Sequence, residues 1–112
     1  MARTTVKYAR VLDAQVAGGV IQVGVSTVNT LIVGNVAAAA RYLKLYDKAT
    51  AATVADTPIL TLMIPAGAAF IVNPVPALHF ALGLTYRCTT LPADSDATAP
   101  TAGDVVLNVG FA

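Results

Sequence analysis

Along most of this chain apolar and polar side chains alternate, and the period of the alternation is two. In PILTLMIP, Leu60, Leu62 and Ile64 share one parity and Thr61 and Met63 the other; in GDVVLNVGFA, Val105, Leu107, Val109 and Phe111 face Val106, Asn108 and Gly110 in the same way. Period two is the repeat of an extended strand, and it gives a helix no single apolar face. Turn-forming residues punctuate these runs. Pro65-Ala66-Gly67 sets one backbone angle and then frees the next, and Asn73-Pro74-Val75-Pro76 forces Asn73 and Val75 away from helical conformations. The polar excursion from Asp94 to Gly103 is too long for a tight hairpin and reads as a rim loop. The pattern predicts strands at about 5 to 12, 19 to 25, 28 to 35, 39 to 47, 59 to 65, 69 to 73, 82 to 90 and 104 to 111. Such a set predicts an all-β chain: a two-sheet antiparallel β-sandwich of about eight short strands, jelly-roll-like or immunoglobulin-like. Residues 1–112 form one domain, long enough to bury roughly 60 to 70% of the surface of its extended form.

AAAARYLKLYDKAT, residues 37 to 50, tests the pattern. Four alanines before Leu and Lys favour a helix on propensity alone. A helical stripe started at Leu43, however, meets Tyr46, Asp47 and Thr50. Read as a strand, the segment turns Leu43 and Leu45 to the core and Tyr42, Lys44 and Tyr46 outward together. That outward trio is the candidate interface, because tyrosines combine contact area with a polar tip and Lys44 can lay its stem along either ring. The alternative is that the tyrosines only brace the sheet against cross-strand neighbours.

Composition narrows the function. Apolar residues make up 56% of the chain and charged ones 12%, about half the usual charged share of about 25%. A surface so poor in charge is expected to be covered in part by other subunits. Seven basic residues against six Asp leave a net charge of +1 with no basic stripe for a phosphate backbone. Arg3, Lys7 and Arg10, a basic cluster near the N-terminus, read as a solvated edge. Residues 14 to 40 and 57 to 86 carry no charged side chain, but glycines, asparagines and prolines interrupt both before a spanning helix could form. The N-terminus has no apolar run ahead of a cleavage site, so synthesis in the cytoplasm is expected.

Candidate chemistry is sparse. Cys88, the single cysteine, shares parity with Leu84 and Tyr86 and reads as a buried small hydrophobe. His79 is the single histidine; a Cys–His pair would need an orienting third group that no motif supplies. Asp94, Asp96 and Asp104 lack the loop that gathers six to eight oxygens around calcium. Neither GxxxxGK[ST] nor GxGxxG is present, so Gly18-Gly19 and Gly34-Asn35 read as turns or close backbone approaches. No catalytic, cofactor-binding or metal-binding residue is therefore assigned.

Three blocks carry a family resemblance: ARYLKLYDKATAATVADTPILTLMIPAG, LHFALGLTYRCTT and DSDATAPTAGDVVLNVGFA. They resemble small proteins encoded by tailed bacteriophages and prophages, in which an RY[LV]KLY strand leads through a Thr/Asp/Pro connector to a strand ending in IPAG. Arg41, Tyr42, Lys44, Leu45 and Tyr46 match the first block, Pro65 and Gly67 its end, Phe80, Gly83, Leu84 and Tyr86 the second, and Asp94, Asp96, Gly103 and Asp104 the third. His79 departs from the glycine-rich turn expected before that Phe. The resemblance implies a non-enzymatic β-sandwich component of the virion, made in the host cytoplasm and assembled on the particle. No cofactor is expected, and the scattered charges and interrupted apolar runs argue against nucleic acid and membrane as partners. A capsid decoration or cement protein, bound to the major capsid protein and to copies of itself, is the first expectation. A tail, neck or baseplate component, with host-glycan binding as a possible extra role, is the second.

Overall fold

The computed structural model describes residues 6–112 and contains, among them, nine strands and no helix. They are β1 (Lys7–Val11), β2 (Gly19–Val23), β3 (Ser26–Asn35), β4 (Arg41–Asp47), β5 (Leu60–Ile64), β6 (Ala69–Val72), β7 (Leu78–Phe80), β8 (Gly83–Thr89) and β9 (Val105–Phe111). Two antiparallel sheets result. Sheet I runs β1-β9-β3-β6, with β7 pairing the other end of β3, and sheet II runs β2-β8-β4-β5. The all-β sandwich expected from the alternation is the fold. The expected strand at residue 5 and the basic residue Arg3 lie outside the described residues.

The parities read from the sequence are the ones that pack. Leu31, Val33, Leu107 and Val109 of sheet I meet Leu43, Leu45, Ile64, Leu84 and Cys88 of sheet II, all essentially without exposure. The antiparallel registers keep those sets facing inward: Leu31 pairs with Val109 and Val33 with Leu107 across β3 and β9, and Leu43 pairs with Cys88 across β4 and β8.

Several elements differ from the sequence reading, β3 among them in starting at Ser26 and not at residue 28. β7 is an additional strand, three residues long, where a loop is expected; its Phe80 is fully buried and anchors it. β2 stops at Val23, because Gly24 takes a φ of 92° and donates its amide to the Leu82 carbonyl at 2.8 Å, turning the chain from sheet II to sheet I. Leu82, given to β8 by its parity, sits in a turn and is exposed. The alanine run forms bends, and β4 begins at Arg41. Buried Asn35 fixes that connection: its Nδ2 donates to the carbonyls of Ala39 and Ile64 at 2.9 and 3.0 Å, and its Oδ1 accepts from the Ala37 amide at 2.9 Å. Local alanine propensity yields here to a side chain that satisfies backbone groups from two elements.

Cys88 is sealed in this core, and burial, the largest cause, pushes its thiol from 9.0 up to about 12. A thiol reagent at pH 8 is therefore expected to label the folded chain no faster than global unfolding permits, since only the exposed thiolate reacts. The same shift has a signed consequence for stability. Between pH 9 and about 12 the folded state holds a proton that the unfolded state has lost, so Cys88 contributes a fall in stability as pH rises through that window. Denaturant titrations of Cys88→Val should lack that part of the alkaline slope; rapid labelling of the native chain would show that the site is open.

Candidate functional site

The two outward faces of the sandwich are built differently. On sheet II, Lys44 of β4 and Arg87 of β8 are direct cross-strand partners on the face away from the core. Two cations side by side would repel, and burial would cost each its hydration. Both are nevertheless buried, Lys44 at 0% exposure and Arg87 at 2%. The loop 90–98 makes this arrangement stable by folding back over them. Its base is pinched where the Thr90 amide donates to the Thr98 carbonyl at 3.2 Å and where the two threonine hydroxyls meet. The Asp96 carboxylate holds it from within, accepting from the Leu91 amide and the Thr98 amide and hydroxyl, and these bonds, the Thr98 hydroxyl first, keep its carboxyl below the usual range.

So organised, the loop aims carbonyls at the cations. Lys44 Nζ donates to the carbonyls of Ala93 at 2.5 Å and Leu91 at 3.5 Å. Arg87 donates from Nη2 to Asp96 O at 2.7 Å, from Nη1 to Asp94 O at 3.4 Å and to the Tyr46 hydroxyl at 3.2 Å, and from Nε to Val16 O at 3.0 Å. Every polar atom buried in a side chain has a partner among the described residues. Desolvation, ahead of the neighbouring Arg87 charge, pulls the Lys44 ammonium below its ordinary value. The cluster closes the β4–β8 centre of sheet II and leaves Thr61 and Met63 of β5 exposed.

This corrects the reading of Tyr42, Lys44 and Tyr46 as an open surface. They do share the face opposite Leu43 and Leu45, but Lys44 and Tyr46 are buried and only Tyr42 is partly exposed. Residues 94–98 of the segment read as a rim loop belong instead to the cover lying on the sheet. Sequence parity identified the face; the cover begins more than forty residues later. A signal was present in Arg87 sharing parity with Thr85 and Thr89, a cation in the middle of a central strand that requires partners.

Among the described residues, no segment covers the outward face of sheet I. Three cross-strand rows form it. One is Tyr8, Gly110 and Thr30; the next is Arg10, Asn108, Ile32 and Ile71; the third is Val106, Gly34 and Ala69. Tyr8 is 70% exposed, Ile71 63% and Ile32 40%. Tyr8 lies across Gly110, where a Cβ would stand 2.8 Å from the ring and 2.6 Å from the Thr30 methyl. The face is consequently shallow, with Ile32 and Ile71 exposed on its β3–β6 side, Asn108 at its centre and Arg10 at the β1 edge.

The remaining candidates stay apart. His79 is exposed on the outward side of β7 opposite Thr27, whereas Cys88 lies between the sheets. Asp104 pairs with Arg41 at 3.1 Å and Asp96 is committed to the cover loop. Among the described residues no three His, Cys, Asp or Glu side chains gather where they could hold a metal ion, and no ligand-sized pocket is formed. Comparisons with protein-family models, with curated proteins and with solved structures find no match to this chain.

Proposed function

We propose that this chain is a non-enzymatic capsid decoration protein of a tailed bacteriophage, seated on the major capsid protein lattice as a homo-oligomer. The observation that carries the reading is the uncovered apolar face of sheet I. A chain that covers the centre of one sheet with a dedicated loop and leaves Tyr8, Ile32 and Ile71 in the open on the other has a surface suited to a flat protein partner. A large pre-formed lattice offers such a partner many times over, so a modest interface per copy suffices. The resemblance of the RYLKLY, LHFALGLTY and GDVVLNVGFA segments to phage proteins supplies the viral setting. The non-enzymatic part rests on the separation of the two reactive side chains, with Cys88 sealed and His79 on a different face. The partners in this reading are the capsid protein and further copies of the chain, with neither nucleic acid nor membrane involved.

Occupancy tests it. Purified chain is added to particles lacking the protein, and bound copies are counted by cryo-EM or quantitative gel. Saturation at hundreds of copies on the head is expected for the native chain. Tyr8→Ser with Ile71→Lys should raise the concentration for half-occupancy about a thousandfold, since the two buried interface anchors contribute on the order of 2 kcal/mol each. Native occupancy by that variant would remove the face from the interface. Binding of only three or six copies at one vertex would move the protein to the neck or tail.

A further inference from the structure

We propose that β5 is a seam between two copies of this chain, pairing antiparallel with itself about a two-fold axis at Leu62 so that sheet II continues across both subunits. A sheet edge presents unpaired N–H and C=O groups, and folded chains usually blunt it with charge, proline, bulges or short strands. Three of the four edges here are blunted. β1 carries exposed Lys7 and Arg10; β2 breaks register between Val20 and Gln22; the β6–β7 edge is split into strands of four and three residues around Pro74 and Pro76. β5 has none of these devices. Leu60–Ile64 contains no charge and no proline and pairs with β4 in unbroken register.

The side chains agree with an unfinished edge. Leu60 and Leu62 point to the core yet are only partly buried, and outward Met63 and neighbouring Ile59 are 54% and 50% exposed. An added strand would cover them all. The strand is also complementary to itself: a two-fold axis at Leu62 sets Leu60 against Ile64 and Thr61 against Met63 of the second copy, so inward residues meet inward ones and the two cores become continuous. No charge obstructs the approach, because β4 behind it keeps Arg41 on Asp104 and Lys44 beneath the cover loop.

The seam deepens the homo-oligomeric part of the proposed function and is tested without particles. Sedimentation of the purified native chain should show a concentration-dependent dimer. Thr61→Lys with Met63→Lys, and Thr61→Glu with Met63→Glu, should each weaken self-association at least tenfold by placing like charges opposite one another. Mixing the two variants should restore a dimer, since Lys then faces Glu. A native chain that stays monomeric overturns the seam, as does either folded variant dimerising like the native chain. If a variant fails to fold, hydrogen exchange of native β5 decides: its amides should gain protection as concentration rises, and no gain overturns the seam. A monomer that still fills particles would defeat the seam alone; a dimer that leaves them bare would defeat the decoration reading alone.

Discussion

Arg87→Ala is expected to lower stability by about 3 kcal/mol or more, enough to reduce Tm by roughly 10 to 20 °C in a domain of this size. The loss comes from stranded acceptors. Arg87 serves the carbonyls of Val16, Asp94 and Asp96 and the Tyr46 hydroxyl, which belong to three separate parts of the chain. Truncation removes the donor to all of them and leaves space beneath the loop, and each buried group left without a partner costs about 1 to 3 kcal/mol unless water reaches it. Loss of the bonds to Asp94 O and Asp96 O frees the loop from the sheet, so the variant should also be cut faster by protease between residues 90 and 98. Arg87→Lys should recover only part of the loss, because one ammonium cannot reach acceptors on opposite sides of a planar guanidinium. Equal melting temperatures for Arg87→Ala and the native chain would mean that the cover is held by other contacts.

The other large effect comes from a residue with no side chain. Gly18 has a φ of 61°, and a Cβ built on it would stand 1.8 Å from the Tyr86 carbonyl oxygen. That oxygen belongs to a central strand of sheet II, so the clash cannot be relieved by a side-chain rotation. Gly18→Ala should cost about 3 kcal/mol or more, combining left-handed backbone strain with displacement of β8. Gly67 is the control. Its φ is 65°, it closes the turn in which the Ala68 amide donates to Pro65 O, and nothing lies within 4 Å of its Cβ position. Gly67→Ala should therefore cost only the conformational term, about 1 to 2 kcal/mol. Thermal melts of the two variants side by side separate strain from collision, and equal losses would refute the close approach at Gly18.

Alternation in β5 and β9 fixed which side chains enter the core, because a strand offers two faces and the apolar one must be buried. The same rule set Leu43, Leu45 and Cys88 inward. It missed β7, whose three residues are too few to show a period, and it extended β2 past Gly24, where a single positive φ turns the chain. For Tyr42, Lys44 and Tyr46 it gave the correct face and the wrong environment.

By itself, then, the sequence determined the all-β class, the turns and the inward set of nearly every long strand, since these depend on neighbours one or two residues apart. Tertiary structure alone decided which outward face stays open. Lys44 and Tyr46 are buried because residues 90–98 return over sheet II to hydrogen-bond Lys44 and Arg87, while no described segment returns over Ile32 and Ile71 on sheet I. The physical reason is range: strand parity is a local property of the backbone, whereas the covering of a face depends on contacts between segments distant in the chain, which period two does not encode.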